Sequence, residues 1–391
     1  MKNLLVRNKK IKHFSTYGLM IFFFLTPFEY PLADLMLVSP LRIVSLLTIF
    51  LAFIDILNQR ILKIDYRFIG IFFWLLYGLN TIFWVDNIAR FQSFYSIYFN
   101  NAFMFLIFSV ISFSEYEVER LKKSIILGVV ALLLYMTFFP NAVIYSSYQH
   151  RLTLNAGRNG LDQNYLAALM IVAFGLVFYN LCNQEQTKIK KILSICFCLS
   201  IFYYIILTGS RSGMLAVVLI IMSSIKTSLK AKALILFLVI ILIIVLPKIV
   251  KYFPPGLLER FTLKALTGNE GESGTRIIIW KQATYSLKNL KWIFGNGIGS
   301  SQTVIGNILG IGKDMAIHNH YIAMLVEVGI IGFLLINYPI FKMIKKQDKQ
   351  DKDIKVAFLG IMVVAFFVDV ATTKFFWSAM ILLSVICGKK K

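Results

Sequence analysis

Residues 316–341, AIHNHYIAMLVEVGIIGFLLINYPIF, decide the fold of this 391-residue chain. An apolar run of this length, folded as a helix, can cross the roughly 30 Å hydrocarbon core of a membrane. His318 and His320 lie at the start of the run, and Glu327 lines up with His320 on a helix. On this helix, one face carries the His318 imidazole at its top and two glycines below it. The members of this face are His318, Tyr321, Ile322, Leu325, Gly329 and Gly332.

Similar apolar runs recur along the whole chain. Apolar residues make up 58% of the sequence and charged residues 15%, and the mean hydropathy is +0.74. This composition argues against soluble domains and predicts an all-α, polytopic integral membrane protein, with residues 1–391 as a single membrane domain. We predict about twelve transmembrane helices. They are expected at 14–31, 40–58, 66–85, 94–113, 121–139, 161–181, 192–208, 211–226, 232–250, 318–341, 354–371 and 373–388.

The basic residues predict the orientation of these spans. Of the 41 Lys and Arg residues, 26 fall in segments that a twelve-span layout places on one side, and each of those segments holds at least three. Cytoplasmic segments carry this excess. We therefore expect both termini in the cytoplasm and an uncleaved first span. The +22 net charge is accounted for by orientation signals, so we expect no nucleic-acid partner.

Arginine is distributed differently from lysine. Of the 11 arginines, seven fall outside or at outer ends of spans, which topology alone does not explain. The planar guanidinium is suited to phosphate and carboxylate. We interpret Arg42 and Arg90 as residues that reach toward lipid headgroups, and the arginines of the outer loops as an anion site. The outer set is Arg42, Arg90, Arg151, Arg158, Arg211, Arg260 and Arg276.

Two outer loops are long enough to form structure. The smaller, 140–160, carries Arg151 and Arg158 and leads into Asn164, which belongs to a polar start of the sixth span. The larger, 251–317, lies between spans nine and ten and contains amphipathic helices. One of these helices is expected to begin just before Arg276.

Three features on the outer side could carry chemistry. Arg211 lies in the tight turn Thr208-Gly209-Ser210-Arg211-Ser212-Gly213, where a new helix begins and its free N–H groups favour an anion. Arg276 is expected in the first turn of its helix, where a cation is unfavourable unless an anion is bound. His318, followed by Asn319, is the candidate base, because imidazole titrates near neutral pH. His320 is the weaker candidate, since it would point away from His318.

At these residues the chain resembles the O-antigen ligase and polymerase superfamily of bacterial membrane glycosyltransferases. The ligase signature is His, then Asn, Ser or Gln, nine residues, and Gly-x-x-Gly, which His318-Asn319 and Gly329-Ile330-Ile331-Gly332 match. The turn at 209–213, the segment from Arg276 to Trp280 before Gly295-Asn296-Gly297, and Asp162-Gln163-Asn164 are also similar.

The resemblance implies a glycosyltransferase C-like membrane fold and an inverting transfer without metal or cofactor. The reaction would take place at the outer face of the bacterial cytoplasmic (inner) membrane. The donor would be an undecaprenyl-diphosphate-linked oligosaccharide, the acceptor a second glycan, and membrane lipids and a chain-length regulator the other partners. Arg211 and Arg276 would hold the diphosphate, and His318 would activate the acceptor hydroxyl. Arg151, Arg158, Asn164, Asn319 and His320 are secondary candidates.

Three functions remain open on the sequence. Phe333 and Leu334 follow the signature, where a ligase often has two threonines, and this favours a polymerase of O-antigen or capsule repeat units. A ligase that passes lipid-linked glycan to lipid A core is the second candidate. A polysaccharide transporter or flippase is the third, disfavoured because spans one to six show no relation to spans seven to twelve. The four cysteines lack metal-ligand spacing, so no metal site is expected.

Overall fold

The computed structural model describes residues 12–33, 39–59, 62–146, 150–155, 161–226, 272–308, 310, 314–346 and 351–388. These residues form a bundle of α-helices with one short antiparallel hairpin, β1 (Val143–Tyr145) and β2 (Leu152–Leu154). The helices are α1 (Phe14–Leu25), α2 (Glu29–Ala33), α3 (Pro40–Asn58), α4 (Tyr66–Asn80), α5 (Ile88–Ser109), α6 (Glu115–Phe138), α7 (Gln163–Asn183), α8 (Lys188–Leu207), α9 (Arg211–Ser224), α10 (Glu272–Tyr285), α11 (Lys291–Phe294), α12 (Ser300–Ile308), α13 (His320–Lys346), α14 (Lys352–Ala365) and α15 (Lys374–Cys387). Single 3-10 turns occur at Thr26–Phe28, Thr81–Phe83 and Pro140–Ala142.

Each predicted span except the ninth coincides with a helix, and the ninth, 232–250, lies outside the described residues. Six helices in the described part of the chain are long and apolar enough to cross a membrane. They are α3, α4 with its following 3-10 turn, α6, α7, α8 and α13. Two further apolar helices, α9 and α15, are shorter. The predicted class, an all-α membrane protein, is therefore confirmed, and the number of twelve spans stays a prediction.

Capping residues locate the starts of two helices more accurately than hydropathy does. Helix α6 begins at Glu115 rather than at 121, because Ser114 and Glu117 form a reciprocal capping box. Helix α5 begins at Ile88 rather than at 94, where the Asn87 side chain accepts the backbone N–H of Arg90. Residues 115–120 of α6 are mostly charged, and residues 88–93 of α5 include Arg90, Gln92 and Ser93, so a search for continuous apolar runs misses both starts.

Helix α7 lies at the centre of the bundle. It packs against α8, α9 and α14, while α1 packs against α3 and α6. Helix α13 packs against α4, and α15 against α5. Most of α7 is buried, and every side chain of α15 from Phe375 to Ile386 is buried. These two helices thus form the interior of the described bundle, and α3 and α8 expose most of their apolar surface.

Contacts between helix ends fall into two groups at opposite ends of the bundle. In one group, the Glu117 carboxylate at the start of α6 accepts the backbone N–H of His13 (2.9 Å) before α1. In the other, Lys374 at the start of α15 pairs with Glu29 (2.6 Å) after α1. The alternation agrees with helices that run up and down in turn. The end that contains Lys374 and Glu29 is the one that the charge distribution predicts to be outside.

The two predicted loops are partly described. The smaller contains the hairpin, which was not expected from the sequence, and residues 147–149 and 156–160 lie outside the described part. Of the larger loop, 272–308, 310 and 314–317 are described, and these hold α10, α11 and α12. Helix α10 buries Ile279 and Ala283, and Leu287 after its end joins them in a small apolar cluster with Ile317 and Val326. Ile277 and Ile278 of the same helix are exposed.

Candidate active site

His318 lies in the wall of an open pocket of about 200 Å³. The pocket lining includes the polar residues His318, Ser301 and Asp369 and the apolar residues Phe94 and Ile97 of α5. The remaining lining residues are Tyr165, Gln302, Ala316, Ile317, Ala323 and Thr372. An imidazole and a carboxylate in its lining give the pocket two groups that can exchange a proton with a bound hydroxyl.

The backbone of His318 has a φ of +52°, in the left-handed region that L-residues rarely occupy. Both neighbours are fixed. The carbonyl of Ile317 accepts the indole N–H of Trp280 (2.9 Å), and the Asn319 side chain accepts the N–H of Ile322 (3.0 Å) at the start of α13. Such a conformation persists where the surroundings over-determine it, and it is frequent at functional sites.

The helical face predicted for His318 is wrong. Helix α13 begins at His320, so His318 precedes it and shares no helical stripe with Tyr321 or Leu325. The helix is also interrupted at Gly329, with φ +59° and ψ −168°. Asn319 ends the extended segment and caps the start of α13. This secondary candidate next to His318 therefore has a structural role.

His320 is enclosed, with 1% of its surface exposed, while His318 is half-buried. The Nδ1 atom of His320 lies 3.3 Å from Oδ1 of Asp369, in the connection between α14 and α15. The carbonyl of Asp369 accepts the Tyr165 hydroxyl of α7 (2.8 Å). Asp369 therefore connects the start of α13, the start of α7 and the pocket.

Below the pocket, the break at Gly329 frees two carbonyl groups of α13. The carbonyl of Val326 accepts the N–H of Asn296 (2.7 Å), and that of Glu327 accepts the N–H of Gly297 (2.9 Å). The fully buried Glu327 side chain accepts hydroxyl groups from Ser301 (2.6 Å) and Tyr98 (3.1 Å). The glycine-rich turn thus replaces the missing helical hydrogen bonds.

Arg211 opens α9 as predicted. Ser210 caps the helix by accepting the N–H of Gly213 (3.2 Å). Arg151 donates from Nε to the Thr208 carbonyl (2.8 Å) and from Nη2 to the Asn164 side chain (3.2 Å). The structure thus brings Arg151, Asn164 and the Arg211 turn together, beside Tyr165 of the pocket. Arg158 lies outside the described residues.

Arg276 is not in the first turn of its helix. Helix α10 begins at Glu272, so Arg276 lies in the second turn. The predicted conflict between its charge and the helix dipole is therefore weaker, because the dipole acts mainly on the first turn. Trp280, one turn further, donates to Ile317. Arg276 thus lies on a helix that is directly bonded to the residue before His318.

The assignment of Arg90 to lipid headgroups is also wrong. Its guanidinium donates to Asp314 and Gln302, and it lies over the ring of Phe94, 5.5 Å from the centroid. Both Gln302 and Phe94 line the pocket. Arg90 therefore belongs to the surroundings of His318.

Residues 195–336 match the family model described as O-antigen ligase. This segment is an O-antigen ligase-like domain. The match confirms the resemblance to the O-antigen ligase and polymerase superfamily, and it includes Arg211, Arg276 and His318. No curated protein matches the chain. The family supports a membrane enzyme of the O-antigen ligase and polymerase type, with lipid-linked glycan substrates.

The sequence did not predict three features of the site. They are Asp369 in the pocket lining, the hydrogen bond of Glu327 to the turn at 296–297, and the contacts of Arg90 with Asp314 and Gln302. Asp369 had one available signal, a single carboxylate between two apolar runs at a predicted outer end. Among the described residues, no three His, Cys, Asp or Glu side chains come together as a metal site. The metal-independent reaction stays a prediction.

Proposed function

We propose that this chain polymerises undecaprenyl-diphosphate-linked oligosaccharide units into O-antigen or capsular polysaccharide at the outer face of the cytoplasmic membrane. The transfer is inverting and needs no metal. The observation that carries the proposal is His318, held in a left-handed conformation in the wall of the pocket. The alternative, a ligase with lipid A core as acceptor, uses the same chemistry with another hydroxyl group.

In the proposed step, the acceptor hydroxyl oxygen attacks the anomeric carbon of the donor as the bond from that carbon to the diphosphate oxygen breaks. The hydroxyl proton passes to the imidazole of His318. General-base catalysis of this kind contributes about 10²–10⁴-fold to the rate. The electron pair of the broken bond leaves with undecaprenyl diphosphate, so a single displacement inverts the anomeric centre.

The diphosphate gains negative charge as it leaves, and we assign its stabilisation to Arg211 and Arg276. Arg211 lies at the N-terminal end of α9, whose free N–H groups add to its positive charge. The hydrogen bonds of Arg151 to the Thr208 carbonyl and to Asn164 support a role in holding this turn. Arg276 lies on α10, which Trp280 ties to Ile317, and this connection supports a role for Arg276 near His318.

The mixed lining of the pocket suits an amphiphilic donor. Phe94 and Ile97 are apolar, whereas His318 and Asp369 are polar and ionisable. A ligand with a polyprenyl chain and a sugar diphosphate head matches this composition. A flippase has no need of an imidazole and a carboxylate in one pocket, so the pocket favours transfer over transport.

The direct test uses the purified protein in liposomes with lipid-linked repeat units and no ion gradient. We expect wild-type protein to form polymer and His318→Ala to form none, with equal amounts of protein in the membrane. His150→Ala is the matched control, because His150 is exposed and also has a positive φ, +49°, but does not line the pocket. Normal chain length in His318→Ala would refute the assignment.

The lipopolysaccharide made by mutant strains distinguishes a polymerase from a ligase. A strain that lacks polymerase activity makes lipopolysaccharide with one repeat unit. A strain that lacks ligase activity makes bare core and accumulates lipid-linked polymer. The second pattern in a His318→Ala strain would assign the chain to the ligase reaction.

A further inference from the structure

Arg90 joins three elements around the pocket. It lies in the first turn of α5, its Nη1 donates to Asp314 and its Nη2 donates to Gln302 of α12. About 19% of its side chain is exposed, against 49% for Asp314. The guanidinium stacks on Phe94, so the charge is partly enclosed between the ring and its two partners.

The same residues hold the chain that leads to His318. Gln302 accepts the backbone N–H of Met315 (3.2 Å) through its carbonyl, while its side chain accepts from Arg90. Residues 314 and 315 are therefore bonded on one side to Arg90 and on the other to α12. We call Arg90, Gln302 and Asp314 the arginine clamp.

Further anchors follow along the chain. Trp280 binds the carbonyl of Ile317, Asn319 caps α13, and His320 contacts Asp369. The arginine clamp and the bond from Trp280 to Ile317 hold the N-terminal side of His318, and the contacts of Asn319 and His320 hold its C-terminal side. A His in the left-handed region is strained, and it persists where both sides of it are fixed.

We propose that Arg90 is a positioning residue for the reaction: the arginine clamp holds residues 314–317 so that the His318 imidazole faces the pocket. The effect of Arg90 on catalysis rests on the proposed function. The holding of residues 314–317 rests on geometry alone. Arg90 acts through His318, and both of its terminal nitrogens bind protein groups. Its loss therefore changes the placement of the base rather than the affinity for the donor.

Two measurements test this. In hydrogen–deuterium exchange of the full-length protein in detergent micelles, Arg90→Ala should speed exchange of amides 314–320 at least about 10-fold. In the liposome assay, kcat should fall about 10- to 100-fold, because small misplacements of a reacting group have effects of this size. The KM for the lipid-linked donor should stay within about 2-fold of wild type.

Asp314→Ala and the double variant complete the test. Because both single variants break one contact, the double variant should be little slower than Arg90→Ala alone. Arg90→Lys should give an intermediate kcat, since Lys can pair with Asp314 but lacks the fork that also reaches Gln302. Arg120→Ala is the control, because Arg120 binds Tyr116 at the opposite end of the bundle; it should leave exchange of 314–320 and kcat unchanged.

The proposal is overturned if Arg90→Ala leaves the exchange of 314–320 unchanged. It is also overturned if the variant raises KM with kcat intact, which would assign Arg90 to direct donor binding. If Arg90→Ala does not fold, Asp314→Ala tests the same contact at a more exposed position. If wild-type protein forms no polymer, the proposed function fails. The role of the arginine clamp in holding residues 314–317 is then tested by the exchange measurement alone.

Discussion

His318 and His320 are two residues apart and lie in different surroundings. His318 precedes α13 and lines the pocket, whereas His320 is enclosed between Asp369 and the ring of Phe376, whose centroid is 5.6 Å away. A base must reach the hydroxyl group from which it takes a proton. His318 meets this condition in the described structure, and His320 supports the wall through Asp369.

Separate alanine variants should therefore differ in kind. His318→Ala should lower the rate of transfer by at least about 10²-fold with little change in melting temperature, because a half-buried side chain is removed. His320→Ala removes a buried ring, which we expect to lower the free energy of unfolding by about 2–4 kcal/mol. The folded fraction should retain transfer activity. Transfer rate and melting temperature in detergent micelles separate the two effects, and a stable but inactive His320→Ala would reverse the assignment.

At the residue scale the sequence predicted the candidate base but not its partners. The signature around His318 predicted a functional histidine. His318 lies outside α13 because Asn319 caps the start of that helix. Asp369 is 49 residues from His320 and meets it only because α13, α14 and α15 pack together. The partners of Arg90 are also remote, since Asp314 lies 224 positions further along the chain. Such contacts are set by tertiary packing, which local patterns do not contain.

At the scale of elements, the break in α13 is the feature that shapes the site. Gly329 has φ +59°, and the carbonyl groups of Val326 and Glu327 bond to the turn at 296–297 instead of continuing the helix. The sequence predicted Gly329 and Gly332 as positions of close approach between helices. The close approach exists, and at Gly329 the partner is the backbone of Ile293, in the four-residue helix α11, and of Gly295 directly after it.

Gly329→Ala should be strongly destabilising. An added Cβ would collide with the Ile293 carbonyl, and the positive φ adds roughly 1–2 kcal/mol for any L-residue. Overpacking of this kind costs a further 1–3 kcal/mol or so. Gly310→Ala is a matched control, since Gly310 has a similar φ of +64° and an added Cβ there would meet nothing within 4 Å. We expect a clearly larger loss of melting temperature for Gly329→Ala; equal losses would show that backbone conformation alone matters.

The elements themselves were largely predictable from hydropathy, since crossing a membrane demands long apolar helices. The boundaries were less so. Capping by Ser114 and Asn87 extends α6 and α5 at their N-terminal ends beyond the predicted spans. Pro27 lies where the first predicted span divides into α1, a 3-10 turn and α2. The hairpin of β1 and β2 escaped prediction because strands of three residues carry too little pattern.

At the scale of the whole molecule, two sets of contacts define the ends of the bundle. One end joins Glu117 and Asp55 to the backbone before and at the start of α1. The same end buries Lys122 between Asp353 (2.9 Å) and Glu119 (3.0 Å). The opposite end holds the pocket. Because the segments with the excess of Lys and Arg are predicted on the Glu117 side, the positive-inside rule predicts the pocket on the outer face.

Cysteine labelling in intact cells can test this orientation. Single cysteines are introduced into a variant in which Cys182, Cys196, Cys198 and Cys387 are replaced by serine or alanine. Asn307, exposed at the end of α12, represents the pocket end, and Lys123, exposed in α6, represents the other. A membrane-impermeant thiol reagent should label Asn307→Cys in intact cells and Lys123→Cys only after the cells are opened. The lipid-linked donor is then accessible to His318 only from outside. The reverse labelling pattern would place the pocket in the cytoplasm and exclude polymerisation at the outer face.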